Sequence, residues 1–359
     1  MPIKSLMHPF FQHTVTHTET HPSSETPPEA ITVHRLEDEL TVLSVTGEDA
    51  LSFLQGQITN DLAARGTDAA CLAGYCTAQG RLLATAIFSQ DRSRASTQTA
   101  QPAQSHEISM LLRSDIATAV AKRLSMFVLR SKVKIAPSAY AAAGVCAPNS
   151  KLDMLTAALG HDLPLTPWQT MHDKTGTWIA APTRPGFHRW WWLASKEASE
   201  PSQINWPSLN AVLALADTKI WFTIDIQLGL PWVEAKTQDL FIPQTLNLDL
   251  IEGVSFTKGC YPGQEIVARS HYRGTLKRRM TLARVDTLLG AEVTPGQDIY
   301  EGDQPCGRVI NLSSSGEQSW LLLEAPFDAM DRNALLLGSA TGPRVLLESL
   351  PYEIRPTKT

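Results

Sequence analysis

The segment "FTKGCYPGQE", residues 256–265, sets one cysteine between Gly259 and Tyr261, with Lys258 two positions before it and Pro262-Gly263 just after it. Gly259 and the Pro-Gly pair predict a turn, which brings the Cys260 sulfur near the surface of a cleft. A lysine so close in sequence would pull the thiol pKa below its reference of about 8.5 and raise the thiolate fraction. Gln264 and Glu265 then open "QEIVARSHYR", a short helix whose positive end suits the Glu265 carboxylate. His271, further along that helix, is read as facing solvent rather than the sulfur. One thiol is too few for a closed metal site, so no resident metal is expected. Acyl transfer, transient metal ligation and redox chemistry all stay open to it.

The other four cysteines, Cys71, Cys76, Cys146 and Cys306, read differently. The total of five is odd and contains no CxxC pair, which argues against a disulfide framework or a structural zinc site. These four are expected to be small buried fillers in a reducing compartment.

Downstream, "ARSHYRGTLKRRM" gathers Arg269, His271, Arg273, Lys277, Arg278 and Arg279. It reads either as a solvated basic face or as an anion site for a glutamyl or phosphate-bearing ligand or a tRNA backbone. The nine tryptophans offer stacking faces for a flat heterocycle, although most should be core.

Further upstream, residues 36–47 read as a strand. Residues 48–62 read as a helix with Leu51, Leu54 and Ile58 at helical spacing. Residues 71–89 predict two strands about a turn at Gln79-Gly80, and 90–105 a polar loop. "SDIATAVAKRLSMFVL" predicts a helix with Ser114 as N-cap and Asp115 in the first turn. "SKVKIAP" (131–137) alternates like a half-buried strand. In "FHRWWWLAS", Trp190 and Trp192 should share one strand face and Trp191 the other. Residues 204–231 predict one or two helices ending at Gly229. Beyond residue 280, short strands between Gly/Pro turns predict a small all-β unit, a barrel or jelly-roll. The fold class is therefore α+β with a β C-terminal domain.

The chain has 359 residues, more than one core usually needs, and its 43% hydrophobic and 19% charged residues are those of an ordinary globular protein. A net charge of −5 argues against a general nucleic-acid or membrane-surface binder. No apolar run approaches the roughly 18–20 residues of a transmembrane helix. The first thirty residues, which carry His8, His13, His17 and His21, read as a disordered polar tail with neither a secretory h-region nor a presequence, so a cytoplasmic location is expected.

The block Lys258–Glu265 matches K-G-C-[FY]-x-G-Q-E, and with "FLQGQITNDL" (53–62), "SKVKIAP" and "GLPWVEAKTQDLFIPQ" (229–244) the chain resembles the YgfZ-type folate-binding proteins over roughly residues 36–350. The resemblance implies the fold of the glycine-cleavage T-protein: a ring of two interleaved α+β domains plus a C-terminal β-barrel. The boundaries implied are a tail at 1–30, a folate-binding module at 31–280 and a barrel at 281–359. It also implies tetrahydrofolate as ligand and a monomeric accessory role in iron–sulfur cluster assembly or repair. Transient contacts with iron–sulfur enzymes or assembly factors would then support tRNA modification without direct tRNA contact.

Within that resemblance Cys260 is the reactive thiol, tuned by Lys258. Trp221 matches one tryptophan linked with folate, and the other match falls at Leu40. Gln264, Glu265 and Arg273 are the remaining ligand candidates. Leu83 and Ala84 stand where aminomethyltransferases carry carboxylates, so one-carbon transfer is the second reading. A tRNA-binding module built on 269–279 is the third.

Overall fold

The computed structural model describes residues 29–91, 106–173, 175–195, 212–272, 276–290 and 292–354. The N-terminal tail and Arg273 lie outside the described residues.

Strand β1 (Ile31–Arg35) is followed by a self-contained unit before its own sheet is completed. That unit comprises β2 (Leu40–Gly47), α1 (Ala50–Gln55), β3 (Cys71–Cys76), β4 (Leu82–Asp91), β5 (His106–Arg113), α2 (Ser114–Ser125) and β6 (Lys134–Pro137). Its antiparallel sheet runs β3-β4-β5-β2-β6. Phe53 and Leu54 of α1, with Ile116, Val120 and Leu124 of α2, pack on Leu43, Val45, Phe88 and Met110 of the sheet. The opposite face, carrying Leu40, Val42 and Leu111, joins the central core. Burial on both faces explains why these strands read as nearly continuous apolar runs.

The chain then returns to β1. Strands β7 (Tyr140–Pro148), β8 (Thr170–Asp173), β9 (Gly176–Ala180), β10 (Phe187–Ser195) and β11 (Leu213–Ala216), with α3 (Leu152–Leu159), complete a sheet of order β11-β1-β7-β10-β9-β8. β1 pairs antiparallel with β7 and parallel with β11, so the two α+β units are interleaved. Trp190 and Trp192 enter one core and Trp191 the other, as the alternation predicts.

After α4 (Thr218–Gln227) and α5 (Gln264–Tyr272) comes the C-terminal unit. It contains β12 (Arg278–Val285), β13 (Asp298–Glu301), β14 (Gln304–Ser315), β15 (Gln318–Pro326), α6 (Phe327–Arg332), β16 (Leu335–Leu337) and β17 (Leu346–Glu348). The order is β16-β13-β14-β15-β12-β17. Hydrogen bonds from Leu337 N to Pro343 O (3.0 Å) and from Val345 N to Leu335 O (2.9 Å) bring the two edges together and curl the sheet into a small barrel. Its Met280, Leu282, Ile310 and Leu322 share the central core with Trp191, Trp221 and Trp232. Among the described residues no helix is long and apolar enough to cross a membrane.

Three local expectations change. The predicted 48–62 helix stops at Gln55, because Ile58 bridges Tyr75 and Thr59 exchanges hydrogen bonds with Gly74. Ser114 is the first helical residue rather than the cap, and its hydroxyl hydrogen-bonds Thr41 Oγ1 at 2.8 Å. Residues 213–216, expected within a helix, form β11; a short apolar run takes whichever structure its neighbours complete.

Candidate functional site

Cys260 is exposed, and a Cβ built on Gly259 beside it meets nothing within 4 Å, so the chain projects freely at the sulfur. Everything around that point is tied down. Ser255 N–H donates to Thr59 O (2.9 Å), and Asn60 Nδ2 donates to Glu252 O (2.6 Å) and Leu72 O (2.7 Å). On the other side, Gly263 adopts φ +79° and packs on the Thr77–Arg81 turn. Helix α5 is held by buried Val267 and by Gln244 Nε2, which donates to Val267 O at 2.6 Å. The two stretches "FLQGQITNDL" and "KGCYPGQE" are thus one structural object.

Lys258 ties the thiol turn to the chain near α1. Its ammonium donates to Gln55 O (2.5 Å), Ile58 O (2.6 Å) and Asn60 O (3.0 Å) and sits 5.3 Å from the centroid of the Tyr261 ring. An ammonium has three protons, and all three are engaged by carbonyls at the end of α1 and just beyond it. Burial pulls the Lys258 pKa down to about 8 and pushes the Tyr261 phenol well above its usual range. The lysine is a strut that fastens the thiol turn, a role its spacing in sequence could not reveal. His271 likewise stacks on Phe256, ring centroids 3.8 Å apart, instead of meeting solvent alone. Gln264 is half-buried and Glu265 exposed in the first turn of α5.

The basic segment divides. Arg279 is buried and clamps Asp249 through two bonds of 2.8 and 2.9 Å, while Arg278 grips Glu324 at 2.5 and 2.9 Å. Both are internal ties. Arg278, with Arg81 and Arg308, lines a groove of about 640 Å³ whose wall includes half-buried Cys306, so Cys306 is not a core filler. Cys71, Cys76 and Cys146 are buried, and burial pushes their thiols up to about 12, 12 and 11.

A second cavity, of about 570 Å³, opens where the two α+β units and the barrel meet. Glu39, Arg113, Lys219, Phe222, Trp232 and Glu234 are in its wall. Glu234 accepts from Asn311 Nδ2 (2.8 Å), Arg113 binds Glu39 (2.6 Å), and the Arg113 guanidinium lies 4.9 Å from the Phe222 ring centroid. Burial raises the Glu234 carboxyl pKa. Neither Trp221 nor Leu40 lines this cavity; their sequence neighbours Phe222 and Glu39 do. Trp221 is fully enclosed: Arg189 stacks on it at 4.0 Å, His34 lies 5.8 Å away, and a Cβ on Gly144 would come within 2.2 Å of its ring. Leu40 is buried in the central core. Glu234 and Phe222 were missed, although a carboxylate after "LPW" and an aromatic beside Trp221 were available signals. None of Cys260, Gln264 and Glu265 lines the cavity.

Two interleaved α+β units closed by a β-barrel define the aminomethyltransferase fold, here with an exposed cysteine on its signature turn. The glycine cleavage system aminomethyltransferase T from Bartonella henselae superposes with a TM-score of 0.63 over 90% of this chain and 86% of that one, at 11% identity, which is a likeness of fold. The chain belongs to the YgfZ family of tRNA-modifying proteins. It is 32% identical over 268 residues to tRNA-modifying protein YgfZ of Edwardsiella ictaluri (strain 93-146), covering 72% of this chain and 74% of that protein. The protein of the same name from Pectobacterium carotovorum subsp. carotovorum (strain PC1) is 26% identical over 323 residues, covering 88% and 90%. No family model matches the chain.

Proposed function

We propose that this protein is a tetrahydrofolate-binding accessory factor that supports iron–sulfur enzymes of tRNA modification through the Cys260 thiol. One observation carries the reading: the sulfur is exposed on a turn that Lys258, Gly263 and Asn60 immobilise. A thiol meant only for packing would be buried, as Cys71, Cys76 and Cys146 are. A fixed, reachable sulfur can attack, or bind one metal position, without forming a closed site.

The cavity at the three-unit junction fits a reduced folate. Its volume of about 570 Å³ lies in the ordinary range for small-molecule sites. A pterin edge presents a row of N–H donors, which the Glu234 carboxylate, held in place by a hydrogen bond from Asn311 Nδ2, can accept. Phe222 and Ile226 supply apolar wall, and Lys219 a cation for a glutamyl carboxylate. When bound, tetrahydrofolate supplies a carrier for one-carbon units. The chain's own residues bind and orient the ring and hold water away from it. Leu83 is half-buried and Ala84 buried, and neither offers a carboxylate for aminomethyl chemistry, which favours the accessory role over one-carbon transfer.

Anaerobic calorimetry with tetrahydrofolate tests the ligand. One-to-one binding by the wild type is expected, weakened about tenfold or more in Glu234→Gln, the usual cost of losing a charged acceptor. Equal binding by both proteins would move the ligand elsewhere.

A further inference from the structure

The turn that follows α2 has no part in either site, yet the fold holds it in place and leaves its apolar groups in water. Met126 is 69% exposed, Phe127 48% and Leu129 87%. Phe127 N–H donates to Leu124 O (3.0 Å), Val128 N–H to Ser125 O (3.2 Å) and Leu129 N–H to Phe127 O (3.0 Å), so the tip has a defined shape. Lys132 N–H binds Asp49 Oδ2 at 2.7 Å. The chain passes so close to Gly47 that a Cβ there would fall 1.9 Å from Lys132 O. Three exposed apolar side chains within four positions stand out from the scattered single ones of an ordinary surface.

The segment around the tip carries only cations of its own, faced at Lys132 by Glu48 and Asp49. No acidic residue occurs between Asp115 and Asp153, whereas Lys122, Arg123, Arg130, Lys132, Lys134 and Lys151 do, in a chain of net charge −5. Lys132 is paired with Glu48 at 2.7 Å. Lys122, Arg123, Arg130 and Lys134 are exposed and have no carboxylate partner among the described residues. The helix that leads to the tip is linked to the thiol turn through the interior of the unit. Arg123 meets the Tyr75 hydroxyl, Tyr75 bridges Ile58, and the Ile58 carbonyl accepts from Lys258.

We propose that Met126, Phe127 and Leu129, with the cations around them, form a docking surface for a protein partner that carries acidic residues around an apolar pocket. This docking surface stands independently of the function proposed above. Two side chains decide the class of partner. A nucleic acid engages cations and an aromatic ring but gains little from Met126 and Leu129, the two most exposed groups. A bilayer takes up the broad apolar face of a helix, whereas here three residues stand at one turn. A protein pocket accepts all three, methionine being the most adaptable.

A photoreactive residue at Leu129 of the full chain, in cells lacking their own copy, tests the proposal. The expected result is a polypeptide adduct whose yield falls about tenfold in Arg130→Glu/Lys134→Glu. The captured protein, purified, should bind the wild-type chain several-fold more weakly at about 200 mM than at about 50 mM salt, as rim charges require. Adducts on RNA or lipid, no adduct, or a yield indifferent to charge reversal would each overturn it. Cys260→Ser is expected to keep the adduct, which separates failure of docking from failure of the thiol.

Discussion

Gly80 and Gly263 meet backbone to backbone: a Cβ built on Gly263 would lie 2.5 Å from the Gly80 Cα and 2.5 Å from Thr77 O. Both residues have positive φ, +72° and +79°. The contact locks the Cys260 turn to the β3–β4 turn, so the position of the thiol depends on two glycines 183 residues apart in sequence.

Gly263→Ala should therefore destabilise the fold by about 2–4 kcal/mol, combining left-handed strain with overpacking. Gly259→Ala, whose Cβ meets nothing, should stay within about 0.5 kcal/mol of the wild type. Urea unfolding of both variants checks the pair. Equal stability would mean that the turns are not locked.

The basic segment gives a second contrast. Arg279→Ala leaves the Asp249 carboxylate buried and unpaired, a loss of about 3–5 kcal/mol. Lys277→Ala, at an exposed position, should cost less than about 0.5 kcal/mol. If Arg279→Ala instead unfolded at the wild-type urea concentration, the arginine would not be the internal tie described here.

Stability should also fall with acid in a definite window. His34 is buried; its Nδ1–H donates to Asp217 O at 2.8 Å, and desolvation holds its pKa at about 4, below the ordinary 6.5. From pH 6.5 down to about 4 the unfolded chain takes up a proton that the fold refuses. The stability His34 contributes is therefore complete above pH 6.5 and is lost at up to about 1.4 kcal/mol per unit as pH falls to 4. His34→Gln should show a shallower slope across that window in chemical denaturation. An unchanged slope would assign the proton to another group.

Much of this was legible in local pattern. Pro262-Gly263 marked the turn, the WWW run placed its rings on alternate faces, and the short strands between Gly/Pro turns after residue 280 marked a small all-β unit. What local pattern cannot carry is the destination of a long side chain. Lys258 sits two residues from Cys260, yet its ammonium goes to carbonyls some 200 residues earlier in the chain. The same holds for β11, which becomes a strand because β1 offers it a parallel edge. Trp221 and Phe222 differ by one step along α4, and only the packing against Gly144 decides which ring is enclosed and which lines the cavity.

The most direct test of the central claim is rescue by Cys260→Ser in cells lacking the protein, read as the activity of an iron–sulfur enzyme that modifies tRNA. The variant should fold with an unchanged melting temperature, bind tetrahydrofolate as the wild type does, and fail to restore that activity. Full restoration by the serine variant would contradict a role for the thiol.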